Sequence, residues 1–296
     1  MGHRRTQTRT WAGAVRALGT GLLCAALLAI LAPAAGAAYA GERSGERAAA
    51  STRPATRTLA MVGANDWSCR PTQAHPSPVV IVHGTFGDSQ TLLRRLSWSV
   101  SHAGYCVFAL DYGKRATAPI EGSAAELGSF VDRVLEATGA AKVSLVGHSQ
   151  GGMMPRYYIR FLGGATKVDD LVGLAPSNHG TANPLLLTPG LSRLCRSCLQ
   201  QKTGSSFLRR LNAGDETPGP VSYTNIVTRY DEVVLPYTSG YLNGENTTNV
   251  RLQSKCRLHF PGHVLLPSDG AAIRITLNAL GRRGPASPTY RPSCLP

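Results

Sequence analysis

Charge is scarce and lopsided in this 296-residue sequence: 16% of residues are charged, 17 of them acidic against 31 basic. With 43% hydrophobic residues the chain has the apolar material for one large core, which excludes a disordered protein. Other absences narrow the chemistry. No second Cys-x-x-Cys accompanies Cys195-x-x-Cys198, no thioredoxin-like context surrounds it, and no glycine-rich nucleotide loop or internal repeat is found, so neither metal nor cofactor is expected. The basic residues are scattered instead of gathered on one helix or interleaved with aromatics. They read as a soluble basic surface, and no nucleic-acid partner is expected. The apolar run Leu22–Leu31 is shorter than the ~20 residues of a membrane span and no second one follows, so no span is expected in the mature chain.

That run does have an export pattern. Arg4, Arg5, Arg9 and Arg16 precede it, and the small residues of 34–40 offer A-x-A sites for cleavage after Ala37 or Ala40. Residues 1–40 are therefore read as a signal peptide and the mature chain as secreted and extracellular. Loss of the four arginines brings the formal charge of +14 to about +10. Cysteine usage agrees with that compartment, because Cys24 leaves with the signal and Cys69, Cys106, Cys195, Cys198, Cys256 and Cys294 remain, an even number that suits three disulfides. If neighbours in sequence pair first, the bridges are Cys69–Cys106, Cys195–Cys198 and Cys256–Cys294. Asn246-Thr247-Thr248 is a glycosylation sequon, of consequence only in a eukaryotic host.

Residues 41–58 have no apolar period and read as a leader, leaving 59–296 as one catalytic domain, expected to be a monomer. Within it, short continuous apolar runs alternate with helical patterns: strands over Val79–Val82, Tyr105–Leu110, Lys142–Val146, Asp169–Leu174 and Tyr223–Val227, and helices over Ser89–His102, Gly122–Thr138, Gly151–Leu162 and Gly270–Leu280. Such alternation predicts an α/β fold, a mostly parallel central sheet covered by helices on both faces. Residues 177–220, with Pro184, Pro189, Pro218 and Pro220, are expected to form a loop-rich insertion. Leu186 and Leu187 in it belong either to the core or to a substrate pocket.

The strongest local signal is Gly147-His148-Ser149-Gln150-Gly151. A buried strand leads in and a helix leads out, the strand–turn–helix setting that turns a G-x-S-x-G serine into an exposed nucleophile. A serine hydroxyl needs a base, and the base an orienting acceptor, in the chain order Ser, acid, His. His179 precedes every plausible acid. Of His259 and His263, the latter opens from a glycine just before the last helix and is the candidate base. Asp231 follows a strand that ends at the same sheet edge and is the candidate acid, ahead of Glu232, Asp215 and Asp269, the last of which is expected to cap the final helix. An oxyanion would be met by the backbone N–H of Gln150 and by one from the loop His83-Gly84-Thr85-Phe86-Gly87.

The segments VVIVHGTFGD (79–88), LVGHSQGGMMPRYYIRFLGG (145–164), LAPSNHGT (174–181), TRYDEVVLPYTSG (228–240) and Gly262-His263 resemble the class 2 bacterial lipases and, more distantly, the Candida-type lipase B enzymes. The resemblance spans nearly all of residues 60–296. It implies an α/β-hydrolase core, hydrolysis of triacylglycerol or other carboxyl esters without a cofactor, the triad Ser149, Asp231 and His263, and oxyanion donors at Thr85 and Gln150, with the Thr85 hydroxyl as a third donor. A secreted acyltransferase with the same triad, or a non-catalytic binding protein on this scaffold, would share these features.

Overall fold

The computed structural model describes residues 63–184 and 188–295. The export signal, the leader and the leucines at 185–187 lie outside the described residues. Six strands, β1 (Val79–Val82), β2 (Val107–Leu110), β3 (Val143–His148), β4 (Val168–Leu174), β5 (Ser222–Val227) and β6 (Thr247–Arg251), form one sheet in the order β2-β1-β3-β4-β5-β6. Every pairing is parallel. All strand carboxyl ends therefore point to one edge, where an open α/β sheet builds its sites.

Strand geometry sends successive side chains to opposite faces. Val80 and Val82 of β1, with Phe108, Leu145 and Tyr223, bury against α3 (Ile120–Thr138), α4 (Gln150–Phe161) and α7 (Ser206–Leu211). Val79 and Ile81, with Ala109, Val146, Val172 and Ile226, bury against α1 (Arg94–His102) and α9 (Gly270–Leu280), the latter preceded by the single turn α8 (Leu252–Lys255). The expected strands and helices are present, and the sheet has one more strand than expected. β6 reads Thr-Thr-Asn-Val-Arg and buries residues on one face only, as an edge strand can.

Two further differences have local causes. The first helix begins at Arg94 and not Ser89, because Asp88 Oδ1 accepts the N–H of Gln90 and Thr91 and holds that segment in a turn. The insertion carries three short helices, α5 (Pro189–Leu194), α6 (Arg196–Gln200) and α7, between its prolines and glycines. A single turn, α2 (Gly113–Ala116), is left-handed, with φ of +54°, +51°, +59° and +58° along its four residues. Left-handed turns with side chains cost about 1–2 kcal/mol per residue, so contacts from outside must hold this one. The bridges join Cys69 to Cys106, Cys195 to Cys198 and Cys256 to Cys294.

Candidate active site

Ser149 sits between β3 and α4 at φ +57° and ψ −124°, a backbone conformation that L residues rarely adopt. The neighbouring glycines make the turn possible. A Cβ on Gly147 would lie 1.8 Å from the Gly151 carbonyl oxygen, and one on Gly151 would lie 2.3 Å from the oxygen of Val82. The strand and the helix thus cross closer than any side chain allows. The loop after β1 presses on the same turn, since a Cβ on Gly84 would lie 2.9 Å from Cβ of Ser149.

Asp231 and His263 meet as expected from the chain order. The imidazole Nδ1 lies 3.0 Å from each carboxylate oxygen, both side chains being buried. Asp231 Oδ1 also accepts the backbone N–H of Val233 at 2.9 Å and of Val234 at 2.7 Å. An acceptor held this firmly orients the ring so that Nδ1 donates and Nε2 is left free to take a proton. The Ser149 hydroxyl makes no hydrogen bond to the imidazole, a looseness common in such sites before substrate binds.

Several supporting residues carried no signal in the sequence. Glu232, adjacent to the acid, turns away from Nδ1 but accepts the backbone N–H of His263 through Oε2 at 2.9 Å. Gly262 leaves room for that carboxylate, because a Cβ there would come within 2.4 Å of Oε2. His148, next to the nucleophile, donates through Nε2 to the His263 carbonyl at 3.0 Å, and the two rings lie 4.7 Å apart. Burial first, and the nearby His263 second, hold His148 well below the ordinary imidazole pKa, so it stays neutral and structural.

The other histidines are occupied elsewhere. His179 pairs with Glu216 at 2.7 Å. His259, spaced His-x3-His from His263, faces the Asp269 carboxylate at 2.7 Å and the Cys294 carbonyl at 2.9 Å. Cys256, His259 and Cys294 lie close enough for a metal, but the two thiols are joined in a disulfide and cannot ligate as thiolates. Asp269 caps α9, accepting the N–H of Ala271 and Ala272. Asp215 turns onto its own loop, accepting from Thr217.

Thr85 and Gln150 come together. The Thr85 hydroxyl donates to Gln150 Oε1 at 2.8 Å, so its proton is committed to that side chain. Among the described residues, the backbone N–H groups of Thr85 and Gln150 have no protein acceptor, whereas those of Phe86 and Gly87 are bonded to Arg115 and Gly84. Two unspent N–H groups flanking a serine at a helix N-terminus suit a developing oxyanion.

A parallel sheet with a serine on a strained strand-to-helix turn at its carboxyl edge defines an α/β-hydrolase. The family model for lipase (class 2) matches residues 76–266, and the chain belongs to that family. Triacylglycerol lipases of Pseudarthrobacter phenanthrenivorans and Burkholderia plantarii are each 36% identical to it over 86 residues, 27% of this chain. The match spans 27% of the first relative and 24% of the second, about a quarter of their length. Aspergillus fumigatus lipase B superposes with a TM-score of 0.66 at 22% identity, over 76% of this chain and 56% of that one. A Bacillus licheniformis lipase in its mature form gives 0.54 at 16% identity, over 71% of this chain and 94% of that one. At these identities the solved structures speak for the fold.

Proposed function

We propose that the protein is a secreted, monomeric carboxylic ester hydrolase acting on lipid esters, with Ser149, Asp231 and His263 as its triad and residues 59–296 as its catalytic unit. The observation that carries this reading is the Asp231–His263 pair, buried and packed against the residue that precedes Ser149. In the first step Ser149 Oγ attacks the ester carbonyl while His263 Nε2 takes its proton and Nδ1–H stays on Asp231. The carbonyl oxygen gains charge and is met by the N–H groups of Thr85 and Gln150. His263 returns the proton to the departing alcohol, then deprotonates a water that releases the acid from the acyl-serine.

A lipid substrate is favoured by the surface around the base. Leu258, Phe260, Val264 and Leu265, exposed by 83, 61, 45 and 63%, crowd into the eight residues that contain His263. So dense a cluster beside a site marks a contact with apolar material. Three disulfides support an oxidising compartment. A fluorophosphonate probe should label the full chain and not Ser149→Ala, and p-nitrophenyl esters of increasing chain length and emulsified triglyceride should be hydrolysed. Labelling that persists in Ser149→Ala would refute the nucleophile. Transacylated product outweighing free acid when alcohol is added in water would favour an acyltransferase.

A further inference from the structure

Gln201 lies in the insertion, directly after α6, yet its side-chain amide reaches both residues of the oxyanion pair. Nε2 donates to Gln150 Oε1 at 2.8 Å and to Thr85 Oγ1 at 3.0 Å, while Oε1 accepts the Ser177 hydroxyl at 2.8 Å. Its main chain is fixed as well, the N–H to Ser197 at 2.9 Å and the carbonyl to the N–H of Thr181 at 2.9 Å. With Thr85 donating to the same Gln150 oxygen, three side chains close a triangle, Gln150 and Gln201 buried and Thr85 half-buried. One corner comes from the loop after β1, one from the start of α4 and one from the insertion.

The triangle has a structural need to meet. Thr85 and Gln150 stand on separate elements, and their N–H groups serve one oxygen only if the loop after β1 keeps its distance from α4. On the loop side the main chain is tied to the left-handed turn, Phe86 N–H donating to Arg115 O at 2.8 Å. That turn is in turn held by α6, since the Ser197 hydroxyl donates to Ala116 O at 2.6 Å and its N–H to Thr117 O at 3.2 Å. Cys195 and Cys198 close the first turn of the same helix. Gln201 and the left-handed turn are thus two attachments of one five-residue helix to the oxyanion loop.

We propose that Gln201 is a positioning residue for the oxyanion hole, locking Thr85 to Gln150 from the insertion so that their backbone N–H groups converge before substrate arrives. The inference rests on the serine-hydrolase reading above. A preorganised donor costs no rearrangement as charge develops, so loosening the lock acts on the transition state more than on substrate binding.

The test uses the full chain with p-nitrophenyl butyrate. Gln201→Met keeps the length of the side chain and removes every polar contact; it should lower kcat roughly 10- to 100-fold with KM within about two-fold, below the loss of a direct oxyanion donor. The inhibition constant of phenylboronic acid, which forms a tetrahedral adduct on the serine, should rise by a similar factor. Gln201→Glu, which retains the acceptor for Ser177 but cannot donate to Gln150 or Thr85, should show the same kcat loss and serves if the Met variant does not fold. Unchanged kcat and boronate affinity in a folded variant would overturn the inference, as would a change confined to melting temperature. An unlabelled, inactive wild type would instead overturn the hydrolase reading.

Discussion

The two ends of the sheet treat buried polar groups in opposite ways. At the carboxyl end Asp231 is surrounded by donors, two backbone N–H groups and the His263 imidazole. At the amino end Asp170, near the start of β4 and equally buried, accepts, among the described residues, only the Ser144 hydroxyl, at 3.0 Å. Burial, then the adjacent Asp169, push the Asp170 carboxyl up to about 7. Burial of a carboxylate therefore does not mark a site by itself. What distinguishes the carboxyl end is that its buried acid has partners from three other residues, as the proposed role of orienting a base would require.

Replacing each acid by its amide should give the largest contrast. Asp231→Asn leaves a side chain that can present N–H to Nδ1 and so favours the wrong imidazole tautomer; kcat is expected to fall about 10⁴-fold, by analogy with other serine triads. Asp170→Asn should stay within about two-fold of wild type, because it reaches no group of the proposed site. Steady-state ester hydrolysis by the two purified variants decides it. Comparable losses in both would mean that the carboxyl end holds no special acid.

The same contrast explains what could be read from the sequence. The residues of the proposed triad, Ser149, Asp231 and His263, could be named from sequence because they follow a strand or stand beside a glycine, where local rules are strict. The covered strands were legible as continuous apolar runs. β6 was not, because an edge strand needs only one apolar face, and Thr248 and Val250 alone provide it. Glu232, Gln201 and the left-handed turn were hidden for a different reason. The turn Gly113-Lys114-Arg115-Ala116 has one glycine in four residues, and its conformation is imposed by Phe86 and Ser197, which lie 29 and 81 residues away from their partners in it. Long-range contacts of that kind leave no trace in local sequence.

Disulfides should sharpen the comparison on a scale of stability. Cys69–Cys106 pins the segment before β1 to the start of β2 and spans 37 residues, whereas Cys195–Cys198 spans three and lies at the carboxyl end. By loop-closure entropy, removing the long bridge costs about 4 kcal/mol and the short one about 2 kcal/mol. Double Cys→Ala variants should therefore rank Cys69/Cys106 as the less stable in urea. The folded Cys195/Cys198 variant should nevertheless lose more kcat, because α6 makes the contacts to the left-handed turn and leads directly into Gln201. If kcat follows stability in the same order, the short bridge has no special tie to the site.

The smallest effect is expected from pH at the amino end. Asp170 has a folded pKa of about 7, raised from a reference of 3.8, so the folded chain binds this proton more tightly than the unfolded chain does. Its contribution to stability is fully present below the unfolded value and is lost as pH rises from about 4 through about 7. Above that window the protein must hold a buried carboxylate with a single hydroxyl donor and Asp169 alongside. Asp170→Asn supplies a neutral group of the same shape at every pH. It should be more stable than wild type at pH 8, by about 1–3 kcal/mol, and nearly equal to it at pH 4. Urea unfolding at the two pH values measures this directly. A variant less stable at pH 8 would show that the charged carboxylate is needed at this end too, and the distinction between the two ends of the sheet would fall.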